Sequence, residues 1–321
     1  MPNFQQIGSS NLDLLVTQVN TILNTVSVPP NTVYSKLCTT IEGGALREDY
    51  PVYVSTIAAE KKELTEEVNR NTPAVINFEN IVDRYATPKE VVSANTKLVD
   101  PFQVLINGVN ETVQRISKLP DQLLAKMINT NSIAYDKQPF FSSTHLIQNF
   151  RKNTKTFTND IVADTTFQGF DTARLTLQQM LGEDGNLYDP DLGDLVAIAP
   201  TPQIQTRLLN LVNPGVVPVA IAGAAASQTT QLIGAAEVML FPELSQYTSL
   251  NPNANKTWYL MRKPRGKQTS LLFRYQMRPQ VIVEAMNSPL YYNNFAMGYH
   301  IETFCAPSFV LPQCMVRCTL P

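Results

Sequence analysis

The chain has 321 residues, and 44% of them are apolar, which excludes a disordered protein and is enough for one large core or two lobes. Charged residues make up only 16%, against about 25% in an ordinary soluble domain. The net charge of −2 disfavours a dedicated nucleic-acid binder, which usually carries a basic surplus. A subunit covered by neighbours needs fewer surface charges than a free monomer, but an ordinary charge-poor protein explains the composition equally well.

The sequence predicts no membrane association. Its longest apolar run, residues 216–226, is interrupted by Pro218 and Gly223 and is much shorter than the ~20 residues that cross a bilayer. The N-terminus lacks the basic start and apolar core of a signal peptide. We therefore expect the protein to stay in the cytosol where it is made.

The first predicted element is an amphipathic helix at residues 10–26, where apolar residues follow helical spacing. The segment Val28-Pro29-Pro30 ends it. One face of this helix must be buried, either on its own chain or on a neighbouring chain.

Residues 40–87 are predicted to form a long hairpin. Strand-like stretches at residues 50–59 and 74–85 flank a highly charged run at residues 60–67. Such a run is usually a solvated tip, and the alternative is a loop that pairs charges with a neighbouring subunit. The candidates for such contacts are Arg47, Glu60, Lys61, Lys62, Glu63 and Glu66.

The clearest helix signal covers residues 101–129. Asp100 is placed to cap this helix, and Pro101 takes its first position, which favours proline. An apolar stripe runs along its length, which is roughly 40 Å at 1.5 Å per residue. Pro120 interrupts the pattern, so a kink or a break is expected there.

The second half alternates helices and strands, which indicates the α+β class. A helix is predicted at residues 171–181, ended by Gly182, and another at residues 201–212. The predicted strands are residues 195–199, 217–222, 236–241, 257–262, 270–276 and 280–286, followed by mixed strands from Tyr291 onward.

No catalytic template is present. The only histidines are His145 and His300, and His145 follows Ser142, Ser143 and Thr144. A serine–histidine pair forms in space rather than in sequence and stays open, but a hydrogen-bonded structural histidine is favoured.

No metal or cofactor site is predicted either. The acidic segment 183–194 lacks the alternating carboxylates and terminal Glu of a calcium loop, so it is interpreted as a helix-to-strand connection. The Cys314-x3-Cys318 spacing is a weak indication of a metal, with no second pair and no nearby histidine. Ordinary reduced thiols are favoured for all four cysteines, Cys38, Cys305, Cys314 and Cys318.

Residues 120–145 resemble the major head protein of Mu-like phages, in which a Pro-Asp-x-Leu helix end precedes a Tyr-Asp-x-x-x-Phe-Phe-Ser-x-x-His stretch. The matching residues here are Pro120-Asp121-Gln122-Leu123, Tyr135-Asp136, Phe140-Phe141-Ser142 and His145. Three later features follow in the same order: a helix with Ala173 and Met180 before an Asp-Gly turn, the strand at 195–199 with Pro200, and Thr257-Trp258-Tyr259-Leu260. The likeness runs loosely over residues 34–305 and depends on the order and spacing of these segments.

The resemblance implies the Hong Kong ninety-seven capsid fold. In that fold residues 1–39 would be an N-terminal arm and residues 40–87 an extended loop. The peripheral domain, residues 88–159 and 276–321, would hold the spine helix at 101–129, and residues 160–275 would form the axial domain. No obvious N-terminal scaffolding segment is present, and the cysteine-rich end, Cys305 to Cys318, has no counterpart that we can place.

The function implied is that of a major capsid protein, which forms hexamers and pentamers of an icosahedral phage head around double-stranded DNA without sequence-specific binding. Its place would be the virion capsid, assembled in the host cytoplasm, with a scaffold, portal, maturation protease and decoration proteins as candidate partners. Some shells cross-link a loop lysine to an asparagine of another subunit, and Lys61 or Lys62 would need a buried carboxylate nearby for this. The alternatives are an encapsulin-like cellular compartment that holds a cargo enzyme, another phage structural protein, and a hydrolase that uses His145.

Overall fold

The computed structural model describes residues 32–53, 75–88, 90–93, 111–148, 154–182, 185–188, 191–213, 232, 234–265, 268–284, 289 and 296–321. The helices of eleven or more residues are α2 (Leu119–Thr130), α3 (Phe167–Gln178) and α4 (Pro202–Val212), and a short helix, α1, covers Val33–Leu37. Strands β1 to β7 are Thr39–Glu42, Arg47–Tyr53, Val75–Ile81, Asp83–Ala86, Glu90–Ser93, His145–Gln148 and Thr154–Phe157. Strands β8 to β14 are Asp160–Val162, Leu195–Ala199, Glu237–Leu240, Thr257–Arg262, Leu271–Glu284, Ala296–Phe309 and Met315–Thr319.

The first sheet, which we call the long-strand sheet, is built around β12 and β13. These antiparallel strands have 14 residues each, and the sheet order is β1-β12-β13-β4, with β5 also paired to β13. The sequence predicted two strands at 270–276 and 280–286, whereas the structure has one strand with register shifts between Tyr275 and Gln280. Pro279 lies at this irregularity, where its missing N–H is tolerated, and this explains why the pattern looked interrupted.

The second sheet, which we call the mixed sheet, has the order β10-β9-β11-β14-β8. Strand β11 runs antiparallel to both of its neighbours, while the β10–β9 and β14–β8 pairs are parallel. The strands predicted at 195–199 and 257–262 are confirmed, and the strand at 236–241 is confirmed as Glu237–Leu240. The predicted strand at 217–222 lies outside the described residues.

The C-terminal strand does not follow the predicted division of the chain. The sequence grouped residues 276–321 with residues 88–159, yet β14 pairs with β11 and β8 in the mixed sheet. Strands β12 and β13 do belong to the long-strand sheet. The chain therefore passes from one sheet to the other through the turn Pro312–Cys314.

The mixed sheet is the middle layer of the molecule. Along β11, Tyr259 and Met261 join a core with α2 and the long-strand sheet, while Trp258 and Leu260 join a second core with α3 and α4. This alternation is what a strand's period of two residues produces when both of its faces are covered.

The helices begin where their capping residues place them. The side chain of Thr201 accepts a hydrogen bond from the Ile204 N–H, and the helix predicted at 201–212 is confirmed. The helix predicted at 171–181 instead begins at Phe167 and ends at Gln178, because Thr166 caps it by accepting from the Gly169 N–H.

The predicted interruption near Pro120 is confirmed. Residues 111–117 are helical, Lys118 forms a turn, and α2 then begins with Pro120 in its first turn, where no backbone donor is needed. Helix α2 ends at Thr130, and its C-cap Asn131 adopts a left-handed backbone conformation with φ of 52°. Residues 101–110 of the predicted helix, and the predicted helix at 10–26, lie outside the described residues.

Candidate functional site

The described part of the predicted hairpin is a two-stranded antiparallel ribbon, and residues 54–74 between its strands lie outside the described residues. Strands β2 and β3 pair from Arg47 opposite Ile81 to Tyr53 opposite Val75. Within the described residues this ribbon is a sheet of its own and joins neither five-stranded sheet. An isolated two-stranded ribbon is only marginally stable in water, so its position depends on what holds it at its base.

The predicted contact residues divide between this ribbon and the segment beyond it. Arg47 is the first residue of β2, and it is exposed. Five further candidates, Glu60, Lys61, Lys62, Glu63 and Glu66, lie outside the described residues.

One buried guanidinium joins both limbs of the hairpin at its root, by which we mean residues 43–48 and 80–82. Arg274 lies on β12 and is fully buried. It donates to the carbonyl oxygen of Asn80 at 3.0 Å on the outgoing limb and to the carbonyl oxygen of Ala45 on the incoming limb. It also forms an ion pair of 3.0 Å with Glu48.

Further contacts fix the same root to the long-strand sheet. The Gly43 N–H donates to the Tyr275 carbonyl oxygen at 3.0 Å, and the Asn80 side chain donates to the Ser308 hydroxyl. The Glu48 carboxylate occupies the space that a Cβ on Gly43 would need, so only glycine fits there without a shift.

Sequence reasoning missed Arg274, although a signal was available. The strand segment Leu271-Leu272-Phe273-Arg274-Tyr275 places a single charge within an apolar run. A fully buried arginine almost always has charged or hydrogen-bonding partners, so its position called for partners elsewhere in the chain.

Two large apolar side chains are exposed beside this root. Leu46 is 54% exposed and Ile81 is 57% exposed, and the chain segments that carry them are joined by the Val82 N–H, which donates to the Leu46 carbonyl oxygen. Neighbouring exposed apolar residues are a common feature of contact surfaces.

An ion pair fixes the edge of the long-strand sheet just beyond the hairpin. Arg84 on β4 donates two hydrogen bonds, of 2.6 and 2.9 Å, to the buried Glu302 carboxylate on β13. Nε2 of His300 lies 3.5 Å from the same carboxylate. The hydrogen bonds from Arg84 hold the pKa of Glu302 below its ordinary value of 4.5.

This lowered pKa predicts a loss of stability in acid. The contribution of Glu302 is fully present above pH 4.5 and is lost as the pH falls through the lowered pKa, because protonation removes the charge that Arg84 binds. We expect the difference in Tm between the parent and Glu302→Gln to shrink as the pH falls below 4.5. Thermal melts of both proteins across this range test the prediction, and a difference that persists unchanged in strong acid would contradict it.

His145 is a buried structural residue. Its Nδ1 lies 2.5 Å from Asp136 Oδ2, and its Nε2 lies 3.1 Å from both the Phe140 carbonyl oxygen and Asn159 Oδ1. Its ring also stacks on Phe157, with 4.8 Å between centroids. Both nitrogens therefore have partners within the fold, and the Ser142 hydroxyl binds the backbone of Thr144 instead.

Three apolar residues of the Mu-like pattern, Leu123, Phe140 and Phe141, lie in or against the core around α2. Asp121 accepts a hydrogen bond of 2.8 Å from the Tyr34 N–H and so fixes α1 to α2, and its burial raises its pKa. Phe140 stacks on Phe309 with 3.9 Å between ring centroids. The pattern thus describes core packing and loop anchoring rather than a reactive site.

All four cysteines are free and buried. Burial raises the pKa of Cys305 to about 12 and raises the pKa values of Cys38 and Cys318 well above their ordinary value. Because the thiolate is the reactive form, these side chains are unreactive in the folded protein.

The acidic segment 183–194 connects α3 to β9, as predicted. Gly185 has φ of 74°, and its carbonyl oxygen accepts a hydrogen bond of 2.7 Å from the Lys155 side chain. Among the residues that the structure describes, no three His, Cys, Asp or Glu side chains are grouped so that they would hold a metal ion. Within the same ranges, no helix has the length and apolarity that crossing a bilayer requires.

Comparisons by sequence give no relative, since no known family profile and no curated protein match the chain. Comparisons of structure give solved structures with a similar fold. The chain resembles one from the procapsid of bacteriophage JBD30 with a TM-score of 0.53 and 13% identity, covering 98% of this chain and 76% of that one.

Two further solved structures show the same likeness. A chain of the mature capsid of bacteriophage PhiM1 has a TM-score of 0.53 and 14% identity, covering 90% of this chain and 87% of its own. A chain of the capsid of cyanophage P-SCSP1u has a TM-score of 0.53 and 10% identity, covering 91% and 88%. The chain therefore has the Hong Kong ninety-seven type capsid fold that the resemblance implied.

Proposed function

We propose that the protein is the major capsid protein of a tailed bacteriophage, a structural subunit rather than an enzyme. Its copies assemble into hexamers and pentamers, which build an icosahedral head around double-stranded DNA. The observation that carries this proposal is the fold, which is shared over 90 to 98% of the chain with chains of three phage capsids.

The net charge supports a shell that encloses DNA without binding it tightly. At −2 the protein has no basic surplus with which to neutralise phosphates. DNA is therefore held by enclosure, and no base-specific contact is part of the proposal.

The hairpin is the described element best suited to reach a neighbouring subunit. A two-stranded ribbon gains stability when another chain covers it, and the exposed side chains of Leu46 and Ile81 lie at its root. Covering both half-exposed side chains would stabilise a contact by about 2–3 kcal/mol. Each subunit of a closed ring makes the same head-to-tail contact, so many modest contacts add up across the shell.

The parts of the chain keep the roles that the resemblance implied, with one change. Residues 1–39 are the arm, residues 40–87 the extended loop, and residues 88–159 with most of 276–321 the peripheral domain. We assign β14 to the axial domain together with residues 160–275, because it pairs with β11 and β8.

A hydrolase that uses His145 has less support. A general base needs a ring nitrogen within reach of a reacting group, and both nitrogens of His145 lie against buried partners. The place of the protein is the virion capsid, and a scaffold, a portal, a maturation protease and decoration proteins are its proposed partners.

Electron microscopy of the purified protein, alone and with a co-expressed candidate scaffold, tests the proposal. Capsomer rings or closed icosahedral shells are expected. A protein that stays strictly monomeric under all salt and scaffold conditions would contradict it. Shells isolated from their natural source should contain a DNA genome, whereas a packaged enzyme would indicate the encapsulin-like alternative.

The charged segment of the hairpin gives a sharper prediction. Changing Lys61 and Lys62 together to Glu should strongly reduce shell assembly and leave the Tm of the unassembled subunit nearly unchanged, because the sequence predicts a solvated charged run there and solvated charges contribute little within a chain. The measurement is the fraction of protein in shells by sedimentation.

The matched control reverses two exposed lysines elsewhere, Lys118 and Lys126, which changes the net charge by the same amount. This control should assemble better than the hairpin variant. If the unassembled hairpin variant also shows a marked loss of Tm, the two lysines make contacts within their own chain.

A further inference from the structure

We propose that Arg274 is a positioning residue, which fixes the direction in which the hairpin leaves the long-strand sheet. This inference rests on the proposed function, since a fixed direction matters only when the hairpin must reach a neighbouring copy. It adds a buried residue of the core to the residues that determine how one subunit meets the next.

The first argument is geometric. The guanidinium bonds the Ala45 carbonyl oxygen on the limb that enters the hairpin and the Asn80 carbonyl oxygen on the limb that leaves it. Two points of attachment on opposite limbs restrain the ribbon against rotation about its root, which one point would not do.

The second argument concerns the strand that carries Arg274. Its neighbours Phe273 and Tyr275 are buried in the core shared with α2. Residues of β1 and β13 pair with Arg274 on both sides, so it lies on an inner strand of its sheet. The attachment point is therefore rigid, and restraint passes directly from the core to the hairpin.

The third argument is chemical. Arginine has a planar group with donors pointing in several directions, whereas lysine has one compact ammonium. The Glu48 carboxylate, which also accepts from the Ala45 N–H at 3.1 Å, fixes the incoming limb around the guanidinium. Lysine at this position would keep the charge but would not reach both limbs at once.

The test measures the direction of the hairpin in the unassembled subunit, so it does not depend on shell formation. Spin labels are placed on Tyr53→Cys, about 20 Å along the ribbon from its root, and on Lys126→Cys on the exposed side of α2. The four native thiols are buried and are expected to stay unlabelled. The distance distribution between the two labels is measured by pulsed electron spin resonance.

We expect one narrow distribution in the parent and a distribution about twofold broader in Arg274→Lys, because the ribbon keeps its contacts at Gly43 and Asn80 but is less restrained and samples a wider range of directions. The control is Arg317→Lys, which removes a two-bond pair with Asp160 in the mixed sheet, away from the hairpin. Its distribution should match the parent. Equal widths in the parent and Arg274→Lys would overturn the proposal.

Two additions keep the outcome decisive. If Arg274→Lys does not fold, Glu48→Gln leaves Arg274 in place and removes only its ionic partner, and it should broaden the distribution to a smaller extent.

Shell yield is then measured for each variant, and we expect a loss of about tenfold for Arg274→Lys relative to Arg317→Lys, since each subunit repeats the defect. A broadened distribution with undiminished shell yield would overturn the link to assembly and would leave the proposed function standing.

Discussion

Trp258→Ala should lower the free energy of unfolding of the subunit by about 4–5 kcal/mol, near the upper end for a single core truncation. Trp258 is fully buried on β11 in the core that the mixed sheet shares with α3 and α4. Its ring lies parallel to Phe170 with 6.0 Å between centroids, and its Nε1 donates to the Ala163 carbonyl oxygen at 3.0 Å. Alanine would leave a large cavity and an unsatisfied buried acceptor at once.

Denaturant unfolding followed by circular dichroism measures this loss. Fluorescence is unsuitable, because Trp258 is the only tryptophan in the chain. The control Trp258→Phe keeps the larger part of the ring volume and loses the N–H and part of the ring, so it should cost less, about 2–3 kcal/mol. Equal costs for the two variants would show that the hydrogen bond rather than the packing determines the stability at this position.

Elements with strong local signals were predictable from the sequence. Leu195–Ala199 is a short apolar run, which is typical of a strand that is covered on both faces. Thr201-Pro202 marks the start of α4, because threonine caps a helix and proline suits its first position. The hairpin was recognised from strand-like stretches on either side of a charged run. These signals extend over a few residues, which is the range over which the sequence alone determines backbone conformation.

The errors have specific physical causes. Helix α3 starts four residues before the predicted position because the Thr166 cap decides its start, whereas the prediction began it at Asp171. Strands 270–276 and 280–286 are one strand because pairing with β13 continues past the irregularity at Pro279. In both cases a local pattern was interpreted without the partner that completes it.

The site itself was the least predictable part. The contacts of Arg274 join residues separated by 194 and 229 positions in the chain, and no periodicity records such a pairing. The destination of β14 in the mixed sheet has the same origin, since β8 lies more than 150 residues before it. A buried charge in an apolar strand indicates that a partner exists, but only the fold identifies the partner.

Asp136→Leu should also destabilise the subunit strongly, by about 3–5 kcal/mol, because it leaves one member of a buried polar pair without its partner. Nε2 of His145 faces two acceptors, the Phe140 carbonyl oxygen and Asn159 Oδ1, so this nitrogen must carry its proton. Nδ1 lies 2.5 Å from the Asp136 carboxylate, and a proton must lie between these two atoms as well. Leucine supplies no partner for Nδ1, and it also removes the acceptor of the Gln138 N–H.

The comparison that isolates burial is Asp171→Leu, which removes the carboxylate of an ion pair with Arg174 on the surface of α3. The two side chains of that pair are 36% and 31% exposed, so its loss should cost at most about 1 kcal/mol. Denaturant unfolding of the unassembled subunit is measured for both variants, with Trp258 fluorescence as the probe. Similar losses of unfolding free energy in the two variants would mean that water reaches His145 in Asp136→Leu and satisfies Nδ1. The Asp136 pair would then not be what holds the segment between α2 and β6 in place. A difference of about 2 kcal/mol or more would assign that role to the pair, because the two variants lose the same charged group and differ mainly in its exposure.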